Sequence, residues 1–380
     1  MNVCIVCGGY PTKNNPEYAF IRPVVATLSD VGITCTVISP QNVMGQFKRK
    51  RSSRPITWVD YSDKGNAVTI LQPKALSMSS LKINGETVSN YFRNRAIRKA
   101  LYNMETSPNI LYGHFWDAAI SAAIASEGKI PVVAVSGEST IRVRDRYNAK
   151  TIEKYLPCIK GVICVSSKNL EESRDLGLLK YNPKITVLPN GFDSKDFHPM
   201  ERLEVRKELG IGEKEIVGSF VGAFTERKGV NRVIEAAKKV PSMKLLLIGG
   251  GGQVEESNQI LFKGSLPHSD ICKYLNASDF FVLPTLAEGC CNAIVEALAC
   301  GLPVISSDMQ FNKDILNEKN AILINPNNID QIAEAMEYLC QDVDRRTAMQ
   351  QNAKEMAECL KIENRCLAIS SFLKRIVQSE

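Results

Sequence analysis

Three histidines and two tryptophans are all that the 380 residues contain. No apolar run approaches the roughly 18 residues of a membrane-spanning helix. The longest, such as KLLLIGG at 244–250, are of strand length. Low-complexity tracts are absent, which leaves an ordinary globular composition. The N-terminal stretch has neither a basic segment ahead of an apolar one nor a small-residue cleavage site, which speaks against a secretory leader. No G-x-G-x-x-G occurs, so the dinucleotide fingerprint fails. Twelve cysteines are present, mostly in apolar runs, as at Cys4, Cys35, Cys164 and Cys300. That suits buried thiols in a reducing cytosol. Cys4-x-x-Cys7 has no second pair or histidine beside it, and on a strand its two side chains point to opposite faces. Cys290-Cys291 reads as packing and backbone rather than redox chemistry.

The net charge of +6 is uneven: residues 1–195 carry +11 and the remainder −5. The first half is therefore expected to meet something anionic. Its basic residues cluster in QFKRKRSSR (46–54) and in YFRNRAIRKALYNM (91–104), where Arg95, Arg98 and Lys99 fall at helical spacing. These are either solvated surfaces or a patch for anionic lipid head groups. Neither has the aromatic platform that nucleic-acid binding needs.

The chain alternates strand and helix. The strand over 2–9 ends in Gly8-Gly9, a helix spans about Phe20–Val31, and a strand follows at ITCTVISP. That is one unit of a doubly wound parallel sheet. Gly8 and Gly9 allow close backbone approach to an anion. The strand NILYGH ends at His114, which either lines a ligand cleft at a strand's carboxyl end or is a satisfied polar residue. The alternation pauses at KITVLPNGFDSKDF (184–197) and resumes at Glu215, which places a domain boundary near 195–200. In the second half, EIVGSFVGAFTERKGVNRVIEA puts Lys228 and Gly229 at a loop-to-helix junction. A cation beside free helix N–H groups makes a diphosphate site; the plain reading is a solvated lysine.

The stretch LPTLAEGCCNAIVEALACGLPVISSD (283–308) carries two glutamates eight positions apart. Glu288 is in the loop, and Glu296 is the single charge on an otherwise apolar helix. A carboxylate there either faces solvent or accepts hydrogen bonds from a ligand's hydroxyls. Asp342-Val343-Asp344 has the form of a metal-binding D-x-D but lies away from every glycine-turn strand end, so no metal site is expected there.

Three stretches, ITVLPNGFDSKDFHP, VGAFTERKGVNRVIEA and LPTLAEGCCNAIVEALACGLPVISSD, resemble in order and spacing the retaining glycosyltransferases of family 4, also called group 1. Weaker similarity at IVCGGYPT and LYGH extends the match over nearly the whole chain. The resemblance implies the α/β GT-B fold: two Rossmann-like domains facing across a cleft, with a C-terminal helix crossing back. Residues 1–197 would form the acceptor domain, 198–360 the nucleotide-sugar domain and 361–380 the returning helix.

The resemblance also implies roles. Glu296 would bind the ribose and Glu288 the donor sugar. Backbone N–H groups of Gly289, Cys290, Cys291 and Asn292 would hold sugar and phosphate. Lys228 with Arg227 would neutralise the leaving diphosphate, and Gly9 would approach the same phosphates. His114 would lie near the transferring carbon, and Gly264, Leu266 and Pro267 against the base. The expected activity is transfer of a hexose or N-acetylhexosamine, without metal or cofactor, from a nucleotide-sugar, UDP-linked by preference. The acceptor would be a growing glycan, and the basic half motivates a lipid-linked one at the inner face of the cell membrane. A sugar-nucleotide epimerase, a phosphorylase, or a non-catalytic nucleotide-sugar-binding protein are the alternatives on the same scaffold. The chain departs from the family at Ala223, where arginine is frequent, at Asn14-Asn15-Pro16, where a glycine pair is, and at Ser136-Gly137, where His-Gly is.

Overall fold

The computed structural model describes residues 1–12, 18–44, 54–77 and 81–379. The basic cluster Lys48–Arg51 and the Asn14-Asn15-Pro16 stretch lie outside the described residues. The chain divides into two units, Met1–Leu188 with Glu363–Glu380, and Pro189–Ile362.

The first unit is built on an eight-stranded sheet. In spatial order its strands are Lys184–Val187, Ile159–Cys164, Val132–Ser136, Ile110–His114, Asn2–Val6, Thr34–Ile38, Ala67–Leu71 and Thr57–Tyr61. All pair in parallel except the last, which runs antiparallel to Ala67–Leu71. The burial pattern explains this edge. Val132–Ser136 is buried throughout, as a strand covered on both faces must be, whereas Thr57–Tyr61 alternates exposed and half-buried residues. The helix Trp116–Ala125 packs its alanine face onto the sheet, and a Cβ on Gly113 would come 2.3 Å from Ala119 Cα. Only glycine allows that approach. The helix Ile362–Val377 also belongs largely to this unit: Lys184 Nζ donates to Arg375 O at 3.0 Å, and a Cβ on Gly161 would meet Phe372 and Ile376 at 2.9 Å.

The second unit holds six parallel strands in the order Ile260–Gly264, Met243–Ile248, Ile216–Val221, Phe280–Leu283, Val304–Ser307 and Ala321–Ile324. Its core strands, including Leu245–Leu247 and Phe280–Leu283, are 1% exposed or less. Each large apolar side chain so buried contributes about 1.5–3 kcal/mol. Arg206 and Asp279, each 1% exposed, pair at 2.8 Å, and Asp279 also accepts from Val217 N at 2.8 Å. This ties the helix Arg202–Leu209 to the strand edge.

The parallel strands of each sheet reverse their order once. In the first unit this occurs between Asn2–Val6 and Ile110–His114, and in the second between Ile216–Val221 and Phe280–Leu283. At such a switch point the connections leave in opposite directions, and a crevice opens beyond the carboxyl ends of the two strands.

Candidate active site

In the second unit the switch point is flanked by the loop 222–229 and the loop 284–291. Glu288 is 9% exposed, and its Oε1 gathers three donors: Thr285 Oγ1 at 2.8 Å, Arg227 Nη1 at 2.8 Å and Lys228 Nζ at 2.7 Å. Burial pulls the Lys228 ammonium down, but Cys291 and the Glu288 carboxylate outweigh it and hold the group above its ordinary value. Burial raises the Cys291 thiol, against the pull of Lys228, so it stays a neutral contact 3.7 Å from the Lys228 nitrogen. Gly229 starts the helix Val230–Lys238 with φ 81, a left-handed conformation that favours glycine. A Cβ there would also strike Pro284 O at 2.8 Å.

Gly289–Cys291 leads into the helix Asn292–Ala299, which has no side-chain cap. Its first amides are therefore the kind of donor that anions take. Asn190 braces this turn, with Nδ2 donating to Cys290 O at 3.0 Å and to Asn292 Oδ1 at 2.8 Å. Glu296 lies one turn further along, its side chain 13% exposed and its Oε1 3.3 Å from His268 Nε2. That hydrogen bond raises the His268 pKa against the opposing effect of burial. The Phe197 ring meets the imidazole edge-on at 5.1 Å. His268 opens the helix His268–Asn276, directly after half-buried Leu266 and exposed Pro267. Gly264 ends its strand and accepts from Gly249 N at 2.8 Å. Ala223, at the family's frequent arginine position, is exposed, and Arg227 four residues on reaches Glu288.

In the first unit, Gly9 is buried beneath the Tyr18 ring: a Cβ built on it would lie 2.3 Å from Tyr18 Cδ2. His114 ends its strand, with its ring 4.7 Å from that of Phe115. Burial, then the charge of Arg365, pushes its pKa down to about 3, so the imidazole is neutral near neutrality. Phe115 takes φ 79, uncommon for a bulky residue, just where the chain turns into the helix Trp116–Ala125. Glu138 caps that helix, accepting from Trp116 N at 2.8 Å and from Gly137 N at 2.9 Å. Burial pushes the Glu138 carboxyl up to about 7, against the lowering effect of these amides.

Asp342, from the D-x-D, accepts from Arg345 N at 2.8 Å as the cap of the helix Val343–Cys359. All twelve cysteines are free thiols. Among the described residues no helix is long and apolar enough to cross a membrane.

The family described as Glycosyl transferases group 1 matches residues 201–356, which span the strands, loops and helices just described in the second unit. Residues 201–356 thus resemble the group 1 glycosyltransferases. The chain is 26% identical over 357 residues to the putative teichuronic acid biosynthesis glycosyltransferase TuaC of Bacillus subtilis, covering 88% of each chain. It is 28% identical over 320 residues to the UDP-Gal:alpha-D-GlcNAc-diphosphoundecaprenol alpha-1,3-galactosyltransferase of Escherichia coli, covering 77% of this chain and 79% of that one. Among solved structures, sucrose-phosphate synthase from Thermosynechococcus elongatus superposes with a TM-score of 0.78 at 15% identity over all of both chains. Anabaena Alr3699/HepE in complex with UDP-glucose superposes with 0.68 at 15% identity, covering 99% of this chain and 100% of that one. The chain thus has the GT-B fold.

Four further polar residues hold these two sites in place. Thr285 and Asn190 stand inside quoted motifs and were legible as neighbours of Glu288 and of a tight Asn-Gly turn. His268 and Glu138 meet their partners only through the fold.

Proposed function

We propose that the chain moves a hexose or N-acetylhexosamine from a UDP-linked sugar to a growing, lipid-linked glycan, with retention at the anomeric carbon and without a metal. The observation that carries this reading is the Glu288 carboxylate held by Lys228, Arg227 and Thr285 at the switch point of the second unit. Breaking a glycosyl–phosphate bond leaves negative charge on the diphosphate and positive charge on the sugar. Lys228, kept protonated by its surroundings, and the uncapped amides of the Asn292–Ala299 helix are fixed donors for the first charge. Glu288 accepts hydrogen bonds from sugar hydroxyls and offsets the second. Glu296, with one oxygen facing His268, suits a ribose diol. Retention follows when the acceptor oxygen attacks from the face the diphosphate leaves, with the departing phosphate taking its proton, so no enzymic nucleophile is required.

The UDP preference and the lipid-linked acceptor draw support from the Escherichia coli relative's name, and UDP from the bound nucleotides named for the HepE structures. A GDP-mannose-dependent transferase of Corynebacterium glutamicum, 27% identical over 190 residues, makes a GDP-sugar the proper control. A thermal-shift panel of UDP- and GDP-sugars tests the donor, since a ligand of the folded state raises its Tm. Stabilisation by UDP-sugars, with turnover abolished in Glu288→Ala, is expected. Unchanged turnover in that variant would remove the assignment. The membrane contact rests on the basic composition around Lys48–Arg51. Flotation with liposomes containing phosphatidylglycerol should weaken when those charges are reversed, and equal binding by both proteins would remove it.

A further inference from the structure

The first unit contains a cavity of about 390 Å³ beyond the carboxyl ends of its switch-point strands, with Gly8, His114 and Glu138 in its lining. Three arginines, Arg93, Arg142 and Arg146, line it as well, against two carboxylates, Asp117 and Glu138. Arg93 and Arg146 share Asp117, at 2.9 and 3.2 Å. The second guanidinium nitrogen of Arg93, Nη2, is buried and has no hydrogen-bond partner among the described residues. A buried charged donor left unmade is costly. Arg142 is exposed and makes no ion pair or side-chain hydrogen bond among the described residues. His114 is neutral and adds no charge. The cavity therefore carries surplus cationic donors in a volume typical of small-molecule sites.

We propose that this cavity binds a phosphate ester carried by the acceptor, with Arg142 and Arg93 as its donors. Guanidinium groups match phosphate oxygens in pairs, and the donors left over here are of that type. The proposal rests on the glycosyltransferase reading, because it takes the first unit as the acceptor's. A lipid diphosphate and a soluble sugar phosphate present the same oxygens, and two probes separate them.

The full chain is titrated calorimetrically with farnesyl diphosphate and with glucose 6-phosphate, with UDP at saturation to occupy the second unit. UDP binding is measured separately. At least one ester is expected to bind, and Arg142→Gln to weaken it about tenfold or more, with Arg142→Lys recovering part and UDP affinity unmoved. Binding of farnesyl diphosphate alone assigns a lipid-linked acceptor, and binding of glucose 6-phosphate alone a soluble one. Failure of both esters to bind, or equal binding by Arg142→Gln, overturns the proposal. Loss of UDP binding in the wild type would instead strike the donor reading, while the Arg142 dependence of the esters is still read. The Arg142 side chain is exposed and makes no hydrogen bond or ion pair among the described residues, so its substitution removes no side-chain bond that holds the fold.

Discussion

Lys228 Nζ lies 2.7 Å from Glu288 Oε1, and both side chains are 12% exposed, so the two charges between the loops 222–229 and 284–291 compensate each other. A ligand diphosphate placed beside Lys228 meets a cation that is already desolvated and oriented. Lys228→Ala is therefore expected to lower kcat/KM by about 10²–10³, the loss typical of a preorganised donor. Its Tm should fall by only a few degrees, because Glu288 keeps Arg227 and Thr285. Steady-state kinetics and differential scanning fluorimetry check the two halves. Thr285→Val, which removes a neutral donor, should cost less in both.

Glu296 and His268 give a pH-dependent prediction. The His268 pKa lies above its ordinary value because Glu296 accepts its hydrogen bond. As pH falls through that raised value, imidazolium binds Glu296 more tightly and competes with a ribose for the carboxylate. UDP should therefore bind more weakly at pH 6 than at pH 8, by a larger ratio in the wild type than in His268→Gln. Calorimetric Kd values at the two pH values decide it, and the variant cancels the ionisation of the nucleotide's own phosphate.

Glu138 and His114 pull stability in opposite directions. Glu138 is raised from 4.5 to about 7, so the folded state holds the extra proton. Its contribution is full below pH 4.5 and is lost as pH rises to 7. His114 is lowered from 6.5 to about 3, so its contribution is full above pH 6.5 and is lost as pH falls towards 3. Between about pH 4.5 and 6.5 the two slopes offset each other. Glu138→Gln should uncover a stability that rises with pH over that window, and His114→Gln one that falls. Urea denaturation at half-unit pH steps measures both.

Gly249 makes a harder demand. Its φ is 151, and a Cβ there would fall 1.8 Å from Gly222 O. That contact is backbone on backbone and cannot be relieved by a rotamer. Gly249→Ala is expected to cost about 3 kcal/mol or more, in the range of the largest single-site effects, or to prevent folding. Gly251→Ala, where the space is open but φ is 98, should cost less. Chemical denaturation of the two proteins tests the order.

Much of the candidate site in the second unit was legible because strand ends are marked by glycine and proline. Gly222, Gly249, Gly264 and Pro284 all follow apolar runs, and Lys228 and Glu288 follow them by a few residues. Glu296 stood out because its helix is otherwise apolar. The Thr57–Tyr61 edge strand was hidden because its alternation is shared with exposed loops, and only its antiparallel partner defines it. Glu138 was hidden for a different reason. Its partner amide is Trp116 N, on the connection leaving a neighbouring strand, and no local pattern records that proximity. Arg93 and Arg142 likewise become one lining only after helix Val88–Tyr102 and the segment before Val143–Arg146 have been placed.

The helix Ile362–Val377 also sets an order of assembly. Phe372 and Ile376 cover Gly161 in the first unit, and Cys366 Sγ reaches Val24 O at 3.6 Å. On the ribosome, all of Pro189–Ile362 must emerge between Leu188 and those side chains. At about 5–20 residues per second that interval is roughly 10–40 s. During it the part of the first unit's sheet around Gly161 lacks the cover of Phe372 and Ile376, while all of the second unit becomes available to fold. The nascent chain therefore finishes its middle before its beginning, and the face around Gly161 is where a chaperone would find it.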